Sequence, residues 1–178
     1  MIRSIRTVAI AIAVLSVLLT ASEAHAQVAD TANYTISINP YMELTALGAD
    51  RVANHPLTPA DIVFTNQTWF ARTSSSTGST IRWTTDHSFW NSADPSYRRD
   101  ARLRLTRVVG SGVSGWQFDV IQDQTNTAAG DETATVQVSG RRAGNAVIWM
   151  DVTFFTGNLA TLRGGNYEMT VVGTISAN

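Results

Sequence analysis

Residues 101–120 read ARLRLTRVVGSGVSGWQFDV. Ala101, Leu103 and Leu105 alternate with Arg102 and Arg104, and Trp116, Phe118 and Val120 alternate with Gln117 and Asp119. Successive side chains of a strand point to opposite faces, so a period of two is the pattern of a half-buried strand. Gly110-Ser111-Gly112 supplies a turn between the two runs.

The same reading extends in both directions. A polar loop, Asp123 to Asp131, precedes a strand at Ala134 to Val138, and Gly140 to Asn145 forms a turn. Ala146 to Phe155 is apolar at nearly every position, the pattern of a strand buried on both faces. After Gly164-Gly165 a closing strand runs from Tyr167 to Ser176, with Tyr167, Met169, Val171 and Ile175 on one face. Upstream, Val63 to Arg72 reads as a strand and Ile81 to Thr85 as the return strand of its hairpin. Tyr34, Ile36 and Ile38 alternate with Thr35 and Ser37 until Pro40 breaks the run, and Met42 and Leu44 resume it. The expected fold is all-β: an immunoglobulin-like antiparallel β-sandwich of about 7–9 strands, with a barrel as the alternative because strand order is not legible in one sequence.

The first 26 residues have a different character. Arg3 and Arg6 precede an apolar run, Val8 to Leu19, and the stretch closes on Ala24-His25-Ala26. A basic start, a short apolar run and a small-x-small site are the marks of a cleaved signal peptide over 1–26. The run is shorter than the roughly 20 residues a spanning helix needs. A single β-sandwich domain is therefore expected over 27–178, exported to the periplasm, the medium or a loose surface association, with no transmembrane helix after processing. Cysteine is absent, which removes both disulfides and a lipid attachment point. That segment would retain 11 Arg, no Lys and 13 acidic residues. Such balance predicts no nucleic-acid partner.

No catalytic constellation emerges. His55 and His87 are the only histidines after residue 26, and neither has a nucleophile and an acid in a recognised arrangement. Gly112-Val113-Ser114-Gly115 lacks the spacing of a nucleophile elbow, since Trp116 stands where the last Gly belongs. The histidines show no zinc spacing. Asp123, Asn126, Asp131 and Glu132 gather oxygens without the ligand spacing of a calcium loop. The expectation is a protein that is not an enzyme, with no cofactor and no metal. Arg98, Arg99, Arg102, Arg104 and Arg107 form one basic cluster, read as a solvated strand face with Asp94 and Asp100 near enough to pair. Of five tryptophans, Trp116 and Trp149 lie in apolar runs and are assigned to the core. Trp69, Trp83 and Trp90 are the candidate ligand-binding aromatics, with Trp69 and Trp90, beside Phe70 and Phe89, as a surface patch able to stack on sugar rings. The candidate assembly strand is Tyr34, Ile36 and Ile38, within an extended segment Val28 to Leu44 that would complete the sheet edge of a neighbour.

Gly115-Trp116-Gln117-Phe118 is similar to a Gly-Trp-x-Leu element, and Gly164-Gly165-Asn166-Tyr167 to the Gly-x-Tyr opening of a last strand. In these features the C-terminal half, roughly Tyr97 to Asn178, resembles the WxL-type domains of exported bacterial surface proteins and, more loosely, pilin-type subunits. Gly173-Thr174-Ile175 stands where a second Trp-x-Leu element belongs, Ala177 replaces a penultimate aromatic residue, and no disulfide can form. The resemblance implies an exported, non-enzymatic sandwich serving cell-surface attachment or assembly, with a surface or self-assembly protein partner. A carbohydrate-binding module with a polysaccharide partner is the alternative.

Overall fold

The computed structural model describes residues 34–36, 41–48 and 50–178. The expected signal peptide, 1–26, lies outside them, as does Ile38 of the candidate assembly strand. The chain divides into two compact units, Met1–Ser37 and Ile38–Asn178. Of the first unit only Tyr34 to Ile36 are described. They belong to no strand, and Tyr34 and Ile36 are exposed.

The second unit is all-β and sandwich-like. Its elements are β1 (Met42–Leu47), β2 (Ile62–Thr73), β3 (Ser79–Thr85), β4 (Phe89–Asn91), β5 (Asp94–Arg99), β6 (Ala101–Gly110), β7 (Gln117–Val120), β8 (Gln122–Gln124), β9 (Thr135–Gly140), β10 (Gly144–Phe154), β11 (Tyr167–Glu168) and β12 (Val171–Ala177). Twelve strands thus stand among the described residues where about 7–9 are expected from turn spacing. The surplus is in short pieces such as β4, β8 and β11, of two or three residues, too brief to show a period. All pairings are antiparallel, in a five-stranded sheet ordered β1-β2-β10-β6-β8, a four-stranded sheet β12-β3-β9-β7, and a small sheet β11-β4-β5.

The core lies between the two larger sheets. Ala101, Leu103 and Leu105 of β6 point inward beside Ala146, Ile148, Met150, Val152 and Phe154 of β10 and Ala71 of β2. Ile81 and Trp83 of β3 and Val136 and Val138 of β9 belong to the same core cluster from the four-stranded sheet. With no cysteine in the chain, packing carries the stability. Each large side chain fully buried here contributes about 1.5–3 kcal/mol.

Several local expectations change. β2 and β3 are not a hairpin: β2 pairs with β1 and β10, whereas β3 pairs with β12 and β9 in the other sheet. The chain crosses between layers at Gly78, whose φ of +89° and packing against Gly140 O leave no room for a side chain. The closing strand is split. β11 joins the small sheet and β12 the four-stranded one, with Asp86 bonding both backbone groups of Thr170 at the break. Tyr167, Met169, Val171 and Ile175 do share the side packed against the core. β10 is sealed on one face only. Val147, Trp149 and Asp151 alternate with its buried residues and stay half-buried on the outer face, so Trp149 is not a core residue. Trp116 is half-buried against the core, stacked over Gly140.

Candidate functional site

One edge of the five-stranded sheet is left open. β1 pairs with Thr68–Thr73 of β2 and stops, so among the described residues the first half of β2, Ile62 to Gln67, is bonded on one side only, by β10. Among the described residues β12 likewise pairs on one side only, with β3. Unpaired strand edges carry rows of backbone donors and acceptors that favour a further strand.

Beside this edge runs a groove of about 770 Å³. Ile62, Phe64 and Trp69 of β2 and Met150, Val152 and Phe154 of β10 line one side, and Tyr167, Met169 and Val171 line the other. Residues 46–48 and 50–55 form part of its rim. Alternation in β2 is interrupted at Thr65 and Asn66, which face the single residue Asp151 of β10 and form a bulge. Asn66 adopts φ +58°, and its N–H donates to Asp151 Oδ1. Without that extra residue Phe64 and Trp69 would face opposite sides of the sheet; the bulge returns both to the groove.

His55 fastens the loop that borders the groove. Its Nδ1 accepts from the Leu57 N–H (3.0 Å), which leaves the ring hydrogen on Nε2 to donate to Thr156 Oγ1 (2.8 Å). The Thr156 hydroxyl donates in turn to Ala60 O (2.6 Å), and its N–H donates to Asp61 Oδ1 (2.9 Å). The ring packs edge-on against Phe154. This is a structural latch with no nucleophile directed at open space.

The candidate aromatics scatter. Trp83 is fully buried and takes no part in any accessible surface, because β3 turns it into the core. Trp69 lines the groove and meets Trp83 edge-to-face at 5.9 Å. Trp90, on β4, stacks on His87 at 3.8 Å. Trp69 and Trp90 therefore rest on different partners in different sheets and do not form one patch. The basic cluster also divides. Arg98 pairs with Glu132 (2.5 Å) and Arg99 donates to Thr161 Oγ1 (3.0 Å), while Arg102, Arg104 and Arg107 stand on the outer face of β6. Neither expected acid pairs with them: Asp94 accepts from Ser96, and Asp100 from Thr125 and Thr127.

Glu132 has an electrostatic role in the fold. The Ser88 hydroxyl donates to its Oε2 (2.6 Å) and holds the carboxyl below its ordinary value, with Arg98 assisting and desolvation opposing. This ties the segment after β3, β5 and the segment before β9 together. Ile62, Phe64, Met150 and Tyr167, the groove lining, escape sequence reasoning because they come from distant segments. The only local signal is the apolar alternation in β2 that fails at Asn66. No protein-family model, curated protein or solved structure matches the chain.

Proposed function

We propose that this is an exported bacterial structural or adhesion protein, not an enzyme, that assembles by accepting an extended strand from a neighbouring copy. The single observation that carries the reading is the edge of β2 at Ile62 to Gln67, unpaired among the described residues, beside a groove whose lining includes Ile62, Phe64, Met150 and Tyr167. Backbone groups on the edge supply affinity for any extended segment, and the groove selects alternate apolar side chains. The segment around Tyr34 and Ile36 offers that alternation with both side chains exposed. Leu44 and the rest of β1 are already paired to β2, so the donor is confined to the residues before them. The likeness of residues 97–178 to WxL-type domains and pilin-type subunits, and an immunoglobulin-like sandwich, belong to the same reading.

Deleting residues 27–38 should leave a folded domain that no longer self-associates. A synthetic peptide of residues 28–38 should bind that truncated domain. Purified full-length protein that stays monomeric at high concentration, by sedimentation, would sink the proposal.

A further inference from the structure

The two outer faces of the sandwich differ in kind. On the four-stranded sheet, Thr84 bonds Thr135, Arg82 donates to Gln137, and Gln137 and Ser139 donate to Asp119. These cross-strand bonds close the face on itself. The outer face of the five-stranded sheet is built otherwise. Pairing sets Arg72 beside Asn145, Phe70 and Val109 beside Val147, Arg107 beside Trp149, Arg104 beside Asp151 and Arg102 beside Thr153.

Arginine and aromatic residues dominate this face. Arg107 lies 5.0 Å from the Trp149 ring centroid, Arg102 5.2 Å from that of Phe155 and Arg72 4.6 Å from that of Tyr41. Stacking on a ring holds a guanidinium flat. Arg72 Nε donates to the Tyr41 hydroxyl (2.9 Å) and Arg102 Nη2 to Thr153 Oγ1 (3.5 Å), while among the described residues Arg104 and Arg107 donate to no protein acceptor. Glu43 and Asp151 are the acids placed against these four arginines by the pairing, and Asp151 Oδ1 already accepts from Asn66. Among the described residues no ion pair forms on this face. The positive charge is local, since the chain as a whole carries a formal net charge of −1.

We propose that the outer face of the five-stranded sheet binds an acidic polysaccharide, a uronic-acid chain lying along Arg102, Arg104 and Arg107 of β6 and reaching across β10 to Arg72 of β2. Carboxylates accept paired N–H bonds from guanidinium groups, and Phe70, Val147 and Val109 give the sugar rings an apolar bed between them. Arg102 and Arg104 are two residues apart on one strand face, about 7 Å, so a linear anionic chain meets them in succession. The denser phosphates of nucleic acid call for a basic domain, and this chain has a pI of about 6.3. The face lies on the opposite side of the sheet from the groove, so this inference stands independently of strand acceptance.

The test is affinity electrophoresis of the purified protein in gels containing polygalacturonate, neutral dextran or a single-stranded oligonucleotide. Polygalacturonate should retard the protein, dextran should not, and salt near 0.15 M should weaken the effect. The double variant Arg104→Gln, Arg107→Gln should bind about tenfold more weakly with an unchanged circular dichroism spectrum and melting curve. Arg82→Gln, on the other outer face, should bind as the parent does. Absence of retardation by polygalacturonate, retardation by the oligonucleotide alone, or equal losses in Arg82→Gln would each overturn the proposal. If the double variant fails to fold, Arg104→Gln alone, at an exposed position, carries the same comparison.

Discussion

The backbone N–H of Asn66 lies 2.9 Å from Oδ1 of Asp151, on the neighbouring strand. This bond holds the β2 bulge and so decides which side of the sheet Ile62 and Phe64 occupy.

Asp151→Ala should lower stability by about 1 kcal/mol, because the Asn66 N–H loses its charged acceptor. Asn66→Val should cost about 1–2 kcal/mol through the left-handed backbone it must adopt, whereas Asn66→Gly should be nearly neutral. Urea unfolding midpoints at constant m-value measure all three.

Gly173 is needed for its size. A Cβ there would lie 2.9 Å from Leu44 Cδ2 and 3.1 Å from both the Trp69 and Trp83 rings. Gly173→Val should therefore destabilise by about 1–3 kcal/mol and alter tryptophan emission. Gly164→Ala, with no atom within 4 Å, should change stability by less than about 0.5 kcal/mol.

Thr156→Val should release the loop at the groove. The substitution strands the His55 Nε2–H and the Ala60 carbonyl, a cost of about 1–3 kcal/mol. Faster limited proteolysis within residues 50–61, with the rest of the domain resistant, is the expected readout.

Glu132 makes stability depend on pH in one direction. Its folded carboxyl lies below the ordinary 4.5, chiefly through the Ser88 hydroxyl, so the unfolded chain takes up protons first as pH falls. The stabilisation is complete above that ordinary value and is lost as pH drops through the lowered folded one. The melting-temperature gap between parent and Glu132→Gln should be constant from about pH 7 to pH 5.5 and shrink below about pH 4.5.

What the sequence discloses follows from the range of the interactions. Ala101, Leu103 and Leu105 alternate with arginines and are all buried, because one strand's own period records its sealed face. Trp149 sits in a run apolar on both faces, and only the second sheet's position decides which face is covered. Chain order suggested a β2–β3 hairpin, but layer crossing at Gly78 depends on contact with Gly140, distant in sequence. The groove is least legible of all. Phe64, Met150 and Tyr167 come from three separate segments, and its open edge follows from where β1 stops.

The place of β10 bears on how the molecule forms. Phe154 pairs with Ile62 on one side and with Ala101 on the other, so the β1-β2 pair and the β6-β8 pair are not joined into one sheet until this late strand arrives. Such non-local pairing must close long loops before it gains any contact, which puts folding in the slow regime of milliseconds to seconds. During synthesis β1, β2, β6 and β8 are all made before this central partner. The five-stranded sheet therefore closes only after synthesis has passed Phe154, a delay written into the order of the strands along the chain.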